Sequence, residues 1–131
     1  MRLESKDNVV NKPVSELFSF VENPEKIRSV MPDNVNKFEA TADGFIFGIQ
    51  GVPVDIKLKI KEKVANEKVV LVSANPNLDF TLSIFMQGLN AQQTMMNMVF
   101  EGEFNPMIKM MIQKPLQKFL NDFSGKAKLL Q

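Results

Sequence analysis

Residues 89–123 read LNAQQTMMNMVFEGEFNPMIKMMIQKPLQKFLNDF, and within them the hydrophobic period changes from two to nearly four. From Leu89 onward Gln92, Thr94, Met96, Met98 and Phe100 fall on one face of a predicted strand, because side chains alternate across a strand. Asn105-Pro106 then supplies a cap and a first helical residue. The spacing predicts a long helix with Met107, Ile108, Met111, Ile112, Leu116, Phe119, Leu120 and Phe123 on one side. Seven of the nine methionines (Met86, Met95, Met96, Met98, Met107, Met110 and Met111) lie in or next to this stretch. Methionine is flexible and polarizable, so it suits apolar surfaces that must adapt in shape. A strand face and a helix face of this kind imply either an irregular packed core or an apolar pocket between them.

Upstream, the period of two continues. Asp43-Gly44 is a hairpin signal between a strand over 35–41 and the alternation Phe45, Phe47, Ile49. Gly51 and Pro53 mark a bend. Val54, Ile56, Leu58, Ile60 and Val64 alternate with Asp55, Lys57, Lys59, Lys61 and Lys63, which predicts a strand with one wet face. Asn66-Glu67 turns into Val69–Val72, and Asn75-Pro76-Asn77 turns into Leu78, Phe80, Leu82, Ile84 and Met86. At the front, residues 2–11 read as a strand. Pro13 opens a helix carrying Val14, Leu17, Phe18 and Val21, and Asn23-Pro24 caps a second, short helix that ends before Pro32. Helices segregated at the two ends of an antiparallel run imply an α+β fold. In it the C-terminal helix covers the concave face of a curved sheet. The expectation is one domain over residues 1–131.

Composition limits the chemistry. The chain has 131 residues, 16 basic and 15 acidic, with a net charge of +1. That balance speaks against nucleic acid as a partner, since such proteins carry a basic face. His, Cys, Tyr and Trp are all absent. Imidazole acid–base catalysis, thiol nucleophiles, disulfides and zinc sites of nitrogen and sulfur ligands are therefore excluded. No apolar run approaches the roughly 20 residues needed to cross a bilayer, and no secretory signal is evident. A cytoplasmic protein without cofactor, metal or stable membrane insertion is expected.

The segment Lys12-Pro13-Val14-Ser15-Glu16-Leu17-Phe18, followed by Asn23-Pro24-Glu25 and Val30-Met31-Pro32, resembles the opening of the START-like and Bet v 1-like superfamily. That superfamily includes polyketide cyclases, lipid-transfer domains and the G-type accessory proteins of carbon monoxide dehydrogenase. Asp33 and Phe18 depart from the pattern of this last group, where Gly and Trp are common. The resemblance implies a helix-grip fold, a curved antiparallel sheet wrapped around a long C-terminal helix, with an apolar cavity between them. It transfers no catalytic residue.

The candidate ligand-binding residues are Ile56, Leu58, Phe80, Leu82, Ile84, Gln92, Thr94, Met96, Met98, Phe100, Met107, Met111 and Phe119, with Gln92 and Thr94 orienting a polar head. The expected ligand is an apolar or amphipathic small molecule, lipid-like or polyketide-like. A non-enzymatic accessory role, with a protein partner or a second copy of the chain, is one alternative. A cyclase- or hydratase-like enzyme using a buried carboxylate is the other, and enzymatic activity is the less expected outcome. Two features admit two readings. Pro115 either divides the last helix or kinks it to shape an entrance. The Lys57–Lys63 stripe is either a solvated face or an attraction for an acidic partner or anionic lipid.

Overall fold

The computed structural model describes residues 1–76 and 78–127. Asn77, the last residue of the predicted Asn75-Pro76-Asn77 turn, lies outside the described residues. The elements run β1 (Arg2–Glu4), β2 (Asn8–Val10), α1 (Val14–Val21), α2 (Pro24–Ile27), a 3-10 turn (Arg28–Val30), β3 (Val35–Ala40), β4 (Gly44–Ile49), β5 (Ile56–Val64), β6 (Lys68–Ser73), β7 (Asp79–Asn90), β8 (Gln93–Glu103) and α3 (Pro106–Ala127).

One antiparallel sheet holds every strand. Its order is β1-β8-β7-β6-β5-β4-β3, with β2 also on β8. Strands β3 to β8 form a meander, and β1 and β2 lie end to end along the outer edge of β8. The predicted strand over 2–11 is thus interrupted, and Ser5 explains the break. Its N–H donates to the Met98 carbonyl (2.9 Å), and its Oγ accepts from the Met98 N–H (2.8 Å). A side-chain oxygen takes the place of a backbone partner there, which frees Lys6 and Asp7 to leave the ladder.

The sheet curls into a half-barrel. Register shifts between Val35 and Lys37, Ile60 and Glu62, and Gly88 and Asn90 contribute to the curl, because a bulge bends its strand and increases the local twist. The bulge in β5 also corrects the reading of the lysine stripe. Leu58 and Ile60 keep their inward register opposite Ser73 and Leu71, but beyond the bulge Lys63 falls opposite Val69, an inward residue. The stripe therefore does not keep to one face.

Local signals set the helix starts. The Asn23 side chain accepts from the N–H groups of Glu25 (3.0 Å) and Lys26 (3.4 Å), satisfying donors that a helix start leaves open. Asn105 does the same for Ile108 at the start of α3 (2.9 Å). The chain runs through Pro115 as one helix rather than two pieces. Phe45, Phe47, Phe80, Phe100, Phe119 and Phe123 are the largest fully buried side chains. All line the space between the concave face and α3.

Candidate functional site

The concave face is mostly apolar. Pairing places Met96, Met98 and Phe100 of β8 opposite Met86, Ile84 and Leu82 of β7, with Thr94 opposite Gly88 and Phe80 opposite Gly102. Val69 and Leu71 of β6 continue the rows toward Leu58 and Ile56 of β5 and Phe45 and Phe47 of β4. The second half of α3 closes this face with Leu116, Phe119, Leu120, Phe123 and Ala127. The rings of Phe119 and Phe47 stack at 4.5 Å and 13°. At the other end Phe80, Phe100 and Phe104 form a stack with centroid separations of 5.3–6.2 Å.

Ten of the thirteen predicted site residues meet here: Ile56, Leu58, Phe80, Leu82, Ile84, Thr94, Met96, Met98, Phe100 and Phe119, none more than 4% exposed. A hollow large enough for a ligand would leave these side chains substantial accessible surface, so none of that size opens among them. The hollow expected from the sequence is closed in this structure, and the stacked phenylalanines close it.

Three predicted residues lie elsewhere. Gln92 is exposed in the β7–β8 turn, beyond the end of the concave rows. Met107 and Met111 are 72% and 43% exposed. The sequence pattern puts two adjacent helical rows, through Met107 and Met111 and through Ile108 and Ile112, on one face. Neighbouring residues in a helix point about 100° apart. The row through Ile112, Leu116, Phe119 or Leu120, Phe123 and Ala127 faces inward, and Met107 and Met111 turn outward. Thr94 is fully buried, but its hydroxyl donates to the Lys12 carbonyl (2.8 Å) and joins β8 to the loop before α1.

The polar inventory of the interior is short. Among the described residues the buried polar side chains are Ser5, Thr94 and Ser124, and each hydroxyl donates to a backbone carbonyl. The cyclase-like alternative needs an inward carboxylate, and no Asp or Glu is buried among the described residues. The groups with displaced pKa values are at the surface. Hydrogen bonding to Lys126, and then its charge, hold the Asp33 carboxyl below its usual value, while Asp55 raises Lys37 in the same two ways. No described group of three or more acidic residues is placed to hold a metal ion. No described helix is long and apolar enough to cross a membrane.

The two halves of α3 are held very differently. Gln117 Nε2 donates to the Glu4 carbonyl (2.7 Å), Asn121 Oδ1 accepts from the Lys6 N–H (3.3 Å), and Ser124 Oγ accepts from Asn8 Nδ2 (2.8 Å). Lys126 Nζ reaches the Met31 carbonyl and Asp33 Oδ1, each at 3.0 Å. Every described hydrogen bond between α3 and the strands or the segment after the 3-10 turn thus starts at or beyond Gln117. Residues 106–115 are held by burial of Ile112 and partial burial of Ile108. Sequence patterning marks the apolar stripe but not this division, which depends on which loops lie within reach.

No family model matches the chain, and no curated protein matches its sequence. Solved structures do. A START superfamily protein from Mycobacterium smegmatis aligns with a TM-score of 0.70 at 12% identity, covering 99% of each chain. The Zhui aromatase/cyclase of a Streptomyces species aligns at 0.69 and 11% identity, over 98% of this chain and 93% of its own. Norcoclaurine synthase from Thalictrum flavum gives 0.65 at 11% identity, over 95% and 84%. At such identities the likeness is one of fold, and it does not extend to the narrower resemblance to the carbon monoxide dehydrogenase accessory proteins. An eight-strand antiparallel half-barrel gripping a C-terminal helix, matched over nearly its whole length, is the START-like, Bet v 1-like helix-grip fold.

Proposed function

We propose that the chain binds an apolar or amphipathic small molecule between the concave sheet and α3, admitted when the first half of α3 swings away about Pro115. The observation that carries this reading is the unequal tethering of α3. From Gln117 onward the helix is bonded to β1, the β1–β2 connection, β2 and the turn before β3, while residues 106–115 have no such described bond. Pro115 stands at the junction. It has no N–H to donate to Met111, so the helix already lacks one backbone bond where it would flex. Met96, Met98 and Met86 lie further along the concave face, beside the tethered half, and their unbranched chains repack around a guest more readily than β-branched ones.

Binding would come from burial, at about 25 cal/mol per Å² of apolar surface, less the cost of opening and ordering. The interior hydroxyls are already engaged with backbone carbonyls, so a polar head group would remain at the rim. The active-site groups of an enzyme are not required by this reading.

Hydrogen exchange and probe kinetics test it together. Amides of residues 109–114 are expected to exchange faster than those of 118–126, and a fluorescent fatty acid is expected to bind with an association rate that falls on Pro115→Ala. Uniform protection along α3, with no probe binding and no apolar mass retained in native mass spectrometry of protein from its own host, would remove the proposal.

A further inference from the structure

The first turns of α3 carry a feature that ligand binding leaves unused. Met107, Met110 and Met111 are 72%, 82% and 43% exposed. Their i, i+3, i+4 spacing makes them neighbours on one helical surface. Exposed Lys114 and Lys118 share that surface, exposed Lys109 lies around the helix beside Met110, and residues 106–121 contain no Asp or Glu. Lys118 pairs with Asp122, whereas no described carboxylate lies within 4.0 Å of Lys109 or Lys114. The three described surface depressions are lined by other segments, and the three methionines are exposed on the helix surface.

We propose that this half of α3 is a peripheral docking surface for an anionic lipid bilayer. Apolar side chains on one face of a helix with lysines beside them match the physical demands of the bilayer interface. The methionines can enter the acyl boundary, and the lysine stems let the ammonium groups reach lipid phosphates. The charge pattern disfavours a second copy of the chain, because a two-fold pairing of this face brings its lysines toward those of the other copy with no carboxylate in residues 106–121 to offset them. A protein partner is disfavoured by shape. Strong protein contacts seat anchors in well-packed pockets, and this surface offers protruding flexible chains that border none of the described depressions. A fluid bilayer needs no matching pocket.

The inference is independent of ligand binding, because it is measured on the full chain without added ligand. The experiment is co-sedimentation with phosphatidylcholine vesicles, with and without about a quarter phosphatidylglycerol, at low and at physiological salt. Expected is partition onto the anionic vesicles only, weakened by salt as screening shortens the reach of the charges. Lys109→Glu and Lys114→Glu should each weaken it by about fivefold or more. Met107→Ser with Met110→Ser should weaken it by about tenfold or more, through lost burial of apolar surface. Both methionines are exposed, so an unchanged melting temperature will show that these variants remain folded. Equal partition onto neutral and anionic vesicles, or none onto either, overturns the proposal. Methionine variants that bind as well as the parent reduce the interaction to charge alone, as for an acidic protein, and overturn it too. A dimer in sedimentation velocity that dissociates on Met110→Ser would assign the face to a second copy instead.

Discussion

Replacing Phe119 by alanine removes the ring that joins α3 to the far side of the sheet. Phe119 is fully buried, stacked on Phe47 at 4.5 Å and tilted against Phe123 at 5.9 Å. Truncating a packed phenylalanine costs about 3–5 kcal/mol, the upper part of the range applying where the surroundings cannot collapse. Two ring contacts here add to the transfer contribution. Against a total stability of about 5–15 kcal/mol, Phe119→Ala should remain folded but lower the melting temperature by roughly 10–20 °C. Urea unfolding followed by circular dichroism reads the change directly, with the slope expected to stay constant. A loss below about 1 kcal/mol would refute the reasoning, because it would mean that the ring borders empty space rather than packed neighbours. The same variant also bears on ligand binding. It opens a phenyl-sized space in the closed interior and should raise affinity for an apolar probe, so a destabilised protein with no such gain would count against the site.

Three further predictions concern other parts of the fold. At Gly44 an added Cβ would lie 1.9 Å from the Leu58 carbonyl oxygen; Gly44→Ala must therefore part β4 from β5, and a loss of about 3 kcal/mol or more in urea unfolding is expected. Thr94→Val leaves the Lys12 carbonyl without its 2.8 Å donor, so stability should fall by about 1–2 kcal/mol with probe affinity unchanged; the reverse outcome would return Thr94 to a ligand-orienting role. Asp33 is held below its usual 3.8 by its hydrogen bond to Lys126 and then by that charge. A carboxyl with a depressed folded pKa stabilises above its unfolded pKa, and the contribution disappears as pH falls through the folded value. Paired melts of the parent and Asp33→Asn should thus differ slightly at neutral pH and coincide near pH ~2, and a difference that persists in acid would exclude the ion pair as its cause.

Much of the fold is legible in the sequence because its signals are local. The caps at Asn23 and Asn105, the Asp43-Gly44 hairpin and the inward alternation of Phe80, Leu82, Ile84 and Met86 each depend on residues a few positions apart. The interruption at Ser5 is not legible, since it depends on Met98, more than ninety residues away. Glu62 breaks the apolar alternation of β5 and is a signal that locates the bulge. Placing Gln92 in the site extends a strand face through what is a turn. Placing Met107 and Met111 there treats two rows of a helix as one.

Period, caps and turn chemistry, all properties of neighbouring residues, determined that this chain would form a long curled meander ending in an amphipathic helix. Tertiary structure alone decided which row of α3 faces the sheet, because that rotation is set by Phe47, Glu4, Lys6, Asn8 and Met31, contributed by distant segments. It also decided that the stacked phenylalanines fill the interior. Whether two apolar surfaces leave a gap depends on the distance between them, and side-chain alternation carries no information about distance.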